Sequence, residues 1–162
     1  MNSIRRNDGY ARAAPAVEMV ARSRPASPRG SAATHPWFRR PHPNPLAKIR
    51  LITFPYAGAR ASAYYPWATY LPPTIELGCV QPPGRESRLA EDAFTRIRAL
   101  VRAAGEALLP YLDRPFVFYG HSLGALVSFE LTRILGEQHG ITPLHLFVSG
   151  HDAPHLASAR RP

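Results

Sequence analysis

The sequence predicts an α/β protein, a mostly parallel sheet with helices on both faces. Two observations carry this. From residue 46 onward, short β-branched apolar runs alternate with longer helical ones. Three of the four strand-like runs are near-continuously apolar, as expected when helices cover both faces of a parallel sheet.

The elements follow in order. Ile49 to Phe54 is short, apolar and β-branched, hence a strand. Pro55-Tyr56-Ala57-Gly58 ends it. Ser62 to Leu71 reads as a short helix capped by Ser62, with Pro66 in its first turns. Ile75 to Val80 is a second strand, closed by Gln81-Pro82-Pro83-Gly84. Phe94, Ile97, Leu100 or Val101, Ala104, Leu108 and Leu112 recur at steps of three to four, which predicts an amphipathic helix over Ala93 to Leu112. Phe116 to Tyr119 is a third strand. Ser122 to Gln138 is a helix with Leu126, Phe129, Ile134 and Leu135 as core contacts and Gly140 just past its end. Leu144 to Val148 is a fourth strand.

Residues 1–45 read differently. Seven prolines interrupt every period, and eight Arg stand against Asp8 and Glu18. A disordered Pro/Arg-rich leader is expected there, with the folded domain over 46–162. That domain holds twelve Lys/Arg against nine Asp/Glu, so the net +9 of the chain comes largely from the leader. Nucleic acid is not an expected partner of so mildly basic a domain. No run of about 18 apolar residues is present, so no membrane span is expected. Pro15 and Glu18 break any secretory core, which leaves the cytoplasm as the expected location. Cys79 is the only cysteine. It permits no internal disulfide and reads as a small buried hydrophobe on a strand.

Chemistry concentrates at Gly120-His121-Ser122-Leu123-Gly124. The pattern falls directly between a strand and a helix, the context in which G-x-S-x-G is a nucleophile elbow of the α/β-hydrolase kind. A hydroxyl attacks only if exposed, near a base and facing oxyanion donors. A sharp, strained turn exposes Ser122, and Gly120 and Gly124 let helix and strand approach. The backbone N–H of Leu123 is one expected oxyanion donor. The N–H of Ala57, after the first strand, is the second.

With these pieces placed, the sequence resembles the type II thioesterases of nonribosomal peptide and polyketide synthesis. Phe54-Pro55-Tyr56-Ala57-Gly58, Trp67, Val80 to Glu86, Gly120 to Gly124 and Leu146-Phe147-Val148-Ser149-Gly150 resemble that family's blocks in order and spacing. The resemblance implies hydrolysis of acyl thioesters on the phosphopantetheine arm of acyl or peptidyl carrier proteins, an editing reaction that needs no cofactor. Two positions depart from the pattern: Ala59 replaces a common second glycine, and Pro82 a common leucine.

The triad order in such folds is Ser, Asp or Glu, then His. The family's domain is longer than this chain, so an α/β-hydrolase sheet truncated before its last strands is expected, with an exposed apolar edge that favours association. The base is expected to be absent. Candidates within the chain are His151 and His155 as base and Asp152 as acid. His121 is adjacent to Ser122, but its side chain should diverge across the turn. His139 and His145 read as surface positions, and His35 and His42 lie in the leader. No His pair has metal spacing on one element. Arg85 and Glu86 read either as a solvated pair or as braces beside a pocket. Tyr64, Tyr65, Trp67 and Tyr70 read as packing residues. Two alternatives stay open: an integrated thioesterase domain of a larger synthetase, and a non-catalytic carrier-binding remnant.

Overall fold

The computed structural model describes residues 35–152. Among them five strands form one sheet: β1 (Phe38–Arg39), β2 (Ile49–Phe54), β3 (Ile75–Val80), β4 (Phe116–His121) and β5 (His145–Ser149), in the order β1-β3-β2-β4-β5. β3, β2, β4 and β5 run parallel, and β1 pairs antiparallel with β3. Two α-helices, α1 (Ile97–Leu108) and α2 (Leu123–His139), pack on one face. A 3-10 segment, Ala61–Thr69, packs on the other with Leu77 and Cys79 of β3.

The folded region begins before residue 46. Phe38 is buried on β3, and its ring fills the space where Gly78 has no Cβ. The expected leader therefore donates residues 35–45 to the fold, while residues 1–34 lie outside the described residues. A two-residue strand bracketed by Pro36 and Pro41 is too short to show a period, and an edge tolerates prolines.

Local chemistry moved other boundaries. The short helix expected from Ser62 to Leu71 is a 3-10 helix over Ala61–Thr69 whose interior holds Pro66, which lacks a donor. Ser62 does not cap it. Its hydroxyl donates instead to the Glu86 carboxylate. α1 starts at Ile97 rather than Ala93 and ends in a 3-10 turn, Leu109–Tyr111, carrying Pro110. Phe94 thus stands outside the helix, with its ring 5.9 Å from Trp37. α2 ends as expected, on a left-handed Gly140. Its buried face is Gly124, Val127, Leu131 and Leu135, and Leu126 and Phe129 are only half-buried. The elbow sets this phase, because Gly124 must face the Phe54 carbonyl.

Connections place the site. β2 leads into the 3-10 segment on one face, and β4 leads into α2 on the other. Neighbouring strands whose chains leave toward opposite faces open a crevice at their carboxyl ends. The Ala57 loop and the Ser122 turn both lie there.

The opposite pole is locked by charge. Arg50 and Glu76, register partners on β2 and β3, are both at most 2% exposed. The Arg50 Nη2 to Glu76 Oε2 separation is 2.6 Å, and Arg50 Nη1 lies 2.6 Å from Asp113 Oδ1. Glu76 also accepts from the Asn44 N–H and from Arg40, which ties the N-terminal arm to the sheet. Removing Glu76 leaves the buried Arg50 with only Asp113 as an anionic partner, so Glu76→Leu should cost about 3 kcal/mol in denaturant unfolding. Burial works to raise the Asp113 pKa. The Arg50 hydrogen bond and the charges of Arg50 and Arg114 outweigh it and hold the carboxyl below its ordinary 3.8. A depressed folded pKa gives stability that is present above the unfolded value and lost as pH falls through the folded one. Asp113→Asn should therefore flatten the fall of stability below about pH 4.

β5 is the edge strand beside β4 among the described residues. Leu144, Phe147 and Val148 on and beside it are each more than half exposed. Such an edge templates pairing with another chain. The 162-residue chain should self-associate in sedimentation velocity at micromolar concentration, and Val148→Lys should shift it toward monomer. Monomeric behaviour of the unmodified chain at that concentration would contradict this.

Candidate active site

Ser122 sits between β4 and α2 with φ 53° and ψ −117°. A non-glycine residue there carries strain of about 1–3 kcal/mol and persists only where its surroundings impose it. They do. The Ser122 N–H donates to the Ser149 carbonyl on β5 at 2.8 Å, and its carbonyl accepts from Ala125 and Leu126. Gly120 lies against the Gly124 carbonyl, and Gly124 against that of Phe54, so tightly that a Cβ at either would fall within 2.2 Å of oxygen. The two glycines are small for the reason read from the sequence.

Two backbone donors face the same crevice. Among the described residues the N–H groups of Leu123 and Ala57 donate to no other group. Leu123 opens α2, whose first-turn N–H groups have no partner within the helix and whose positive dipole end points outward. Ala57 is exposed on the loop after β2. That loop turns on Gly58 at φ +80° and on an Ala59 N–H to Tyr56 carbonyl bond of 3.0 Å. Ala59, where the resembled family commonly has glycine, is buried at ordinary negative φ. The turn does not need a glycine there.

An apolar pocket adjoins these groups, lined by Phe54, Ala57, Val80, Phe94, Leu100, Leu123 and Val127 among others. Its far wall is the loop after β3. Arg85 lines it, with Nη1 on the Gly84 carbonyl at 2.8 Å. Glu86 accepts from Ser62, so Arg85 and Glu86 are not paired with each other. Glu86 braces the wall against the 3-10 segment. Pro82 lies beyond the β3 ladder, so its missing donor costs nothing.

Sequence reading passed over Gln81, which is fully buried. Its Oε1 accepts from the Ala61 N–H, and its Nε2 donates to the carbonyls of Pro82 and Arg85. It thereby fastens the pocket wall to the chain just after the Ala57 loop. Arg88 donates to the Gln81 carbonyl, grips Glu91 and stacks 4.7 Å over Trp37. A polar side chain directly after an apolar strand was the available signal.

The histidines are not brought to Ser122. The Nδ1 of His121 lies 3.0 Å from Ser149 Oγ, and its ring meets Tyr56 edge to face. His151 Nδ1 bonds the Asp152 carbonyl, and both residues are exposed. His155 falls outside the described residues. Among those residues no group is hydrogen-bonded to Ser122 Oγ. Cys79 is no rival nucleophile, since burial above all pushes its thiol up to about 12. Tyr64 donates to the Phe54 carbonyl and packs with Trp67 and Tyr119, whereas Tyr70 is exposed rather than packed.

Residues 49–162 match the family model described as thioesterase domain. The chain is 44% identical over 125 residues to the gramicidin S biosynthesis protein GrsT of Aneurinibacillus migulanus, covering 77% of the chain and 49% of that protein. It is 42% identical to thioesterase PikA5 of Streptomyces venezuelae, covering 76% and 44%. Among solved structures, RedJ, a thioesterase of the prodiginine pathway of Streptomyces coelicolor, superposes with a TM-score of 0.68 at 37% identity, covering 83% and 49%. The type II thioesterase BorB of the borrelidin cluster superposes at 0.67 with 35% identity, covering 73% and 48%. The chain spans about half the length of the relatives it matches.

Proposed function

The chain belongs to the thioesterase domain family, and from that premise we propose that the protein hydrolyses acyl thioesters held on the phosphopantetheine arm of carrier proteins in nonribosomal peptide or polyketide synthesis. Ser122 is the nucleophile. The observation that carries this reading is the strained Ser122 directly before Leu123, which with Ala57 lines an apolar pocket and whose N–H, like that of Ala57, is unengaged among the described residues.

The chemistry follows from that arrangement. The acyl chain lies in the apolar pocket, and the thioester carbonyl carbon rests against Ser122 Oγ. Attack moves the carbonyl electrons onto oxygen, where the Leu123 and Ala57 N–H groups hold the charge. Collapse expels the pantetheine thiolate and leaves an acyl-serine, which water then cleaves. The base that takes the serine proton is none of the described residues. It lies outside them, where His155 is also placed.

The absence of a base beside Ser122 among the described residues also supports a second reading, a carrier-binding module that does not turn over. Thiol release from hexanoyl-pantetheine separates the two, together with mass spectrometry of the protein. Steady release, or an adduct of one hexanoyl group on Ser122, supports the enzyme. Neither product, with carrier binding retained, supports the module.

A further inference from the structure

An acyl-pantetheine substrate has two unlike halves on either side of the thioester. The apolar pocket suits the acyl half. The pantetheine half is a chain of methylene groups broken by two amides, and it needs a surface that is part apolar and part hydrogen-bonding. At the edge of that pocket the structure carries such a surface, built from Tyr56 and His121.

Tyr56 is 45% exposed, and its ring meets that of His121 edge to face at 5.8 Å and 90°. Tyr56 lines the pocket, and His121 does not. The ring pair therefore marks the boundary where apolar lining gives way to polar surface. His121 is exposed at the end of β4, a place where an imidazole ordinarily rotates freely. Here it is held. Its Nδ1 lies 3.0 Å from Ser149 Oγ, which also sits 3.4 Å from the Tyr119 hydroxyl. Gly150, at φ +65°, presses against the ring so closely that a Cβ would fall 2.4 Å from Cε1. Three contacts fix a solvent-facing imidazole, and with Nδ1 engaged, Nε2 is the nitrogen left for a ligand.

We propose that Tyr56 and His121 form the subsite for the pantetheine arm, with the imidazole Nε2 on the first amide and the Tyr56 ring against the adjoining methylenes. Ser149 acts through His121 as a positioning residue. The assignment rests on the reading of Ser122 as the residue that attacks a pantetheine thioester. The spacing agrees with it. Adjacent Cα atoms are about 3.8 Å apart, and the first amide nitrogen follows the thioester sulfur by only two methylenes. A carbonyl carbon at Ser122 thus holds that amide within about one residue's span of the turn, the reach that the subsite requires.

Binding of uncleavable thioethers tests this without requiring turnover. The probes are S-octyl pantetheine and S-octyl mercaptoethanol, which share the octyl tail and differ in the amides. The 162-residue chain should hold the pantetheine compound about tenfold more tightly by calorimetry, the worth of one hydrogen bond and an aromatic contact. His121→Ala should remove most of that preference and leave the mercaptoethanol compound unchanged, whereas Tyr56→Ala, whose ring also lines the acyl pocket, should remove the preference and weaken both compounds. Ser149→Ala, which keeps the imidazole but frees it, should fall between. Because the His121 ring packs on Gly150, His121→Asn serves as a second variant if His121→Ala fails to fold. A preference that survives all of these, or equal binding of the two probes by the unmodified chain, overturns the subsite and leaves the acyl pocket standing. A preference lost in Arg85→Ala alone puts the arm on the pocket side and also overturns it. No binding of either probe overturns the acyl pocket and the subsite together.

Discussion

In a form of the protein that contains the base and turns over, Ser122→Ala should abolish thioester hydrolysis, lowering kcat by about 10⁴-fold or more while leaving KM for hexanoyl-pantetheine nearly unchanged. The size follows from what is removed. The acyl-enzyme route disappears, and the Leu123 and Ala57 donors and the pocket remain. Their residual assistance alone is not enough to sustain turnover. Stability should respond in a different direction. Ser122 holds φ 53°, a conformation that costs nothing to glycine. Ser122→Gly should therefore raise the midpoint of denaturant unfolding by the equivalent of about 1 kcal/mol, even as it destroys activity. A residue kept at a site where glycine is more stable, and where its removal is fatal to turnover, is placed for chemistry rather than for the turn. Ser122→Ala with rates within tenfold of the unmodified protein would refute the nucleophile assignment.

What the sequence disclosed tracks how local each constraint is. The elbow was legible because sterics write it directly: one serine at positive φ requires two small neighbours, and Gly120 and Gly124 stand at the required offsets. β2 and β3 were legible to the residue because apolar β-branched runs end abruptly at Pro55 and Gln81. Where the deciding partner lies far along the chain, the sequence was silent. Phe38 is a strand residue only because Gly78, forty positions on, leaves room for its ring. Ser62 has the composition of a cap, yet Glu86 competes for its hydroxyl and wins. Gln81 earns its burial from three backbone groups on two loops. The phase of α2 was misjudged because hydrophobicity alone cannot rank Leu126 against Val127. The contact of Gly124 with Phe54 ranks them. At the site, the place of Ser122 and Leu123 on the strand-to-helix turn and of Ala57 on the loop after β2 was readable from motif geometry, their roles being proposals, whereas the pinning of His121 needed the parallel pairing of β4 with β5.

That same contact makes Gly124 the position least able to accept a methyl group. A Cβ there would lie 2.1 Å from the Phe54 carbonyl oxygen, 2.8 Å from its carbon and 3.0 Å from the Pro55 carbonyl oxygen. All three atoms are backbone, so no rotamer change relieves the clash. Phe54 is paired in the middle of the sheet with Gly120, and its carbonyl is held from the other side by Tyr64. Relief requires α2 to lift off β2. That would uncover Val127, Leu131 and Leu135, which are all buried against the sheet, and would draw the Leu123 N–H away from Ala57. Gly124→Ala should accordingly cost more than about 4 kcal/mol, a large share of a domain's net stability, and appear as aggregated or unfolded protein at 37 °C. Gly136→Ala is the internal control. A Cβ there meets only the Thr142 methyl, at an ordinary 3.8 Å, and within the helix alanine is favoured over glycine by about 1 kcal/mol, so this variant should melt higher than the unmodified chain. Equal melting of the two variants would mean that α2 does not rest on β2 at Gly124, and the oxyanion geometry would fall with it.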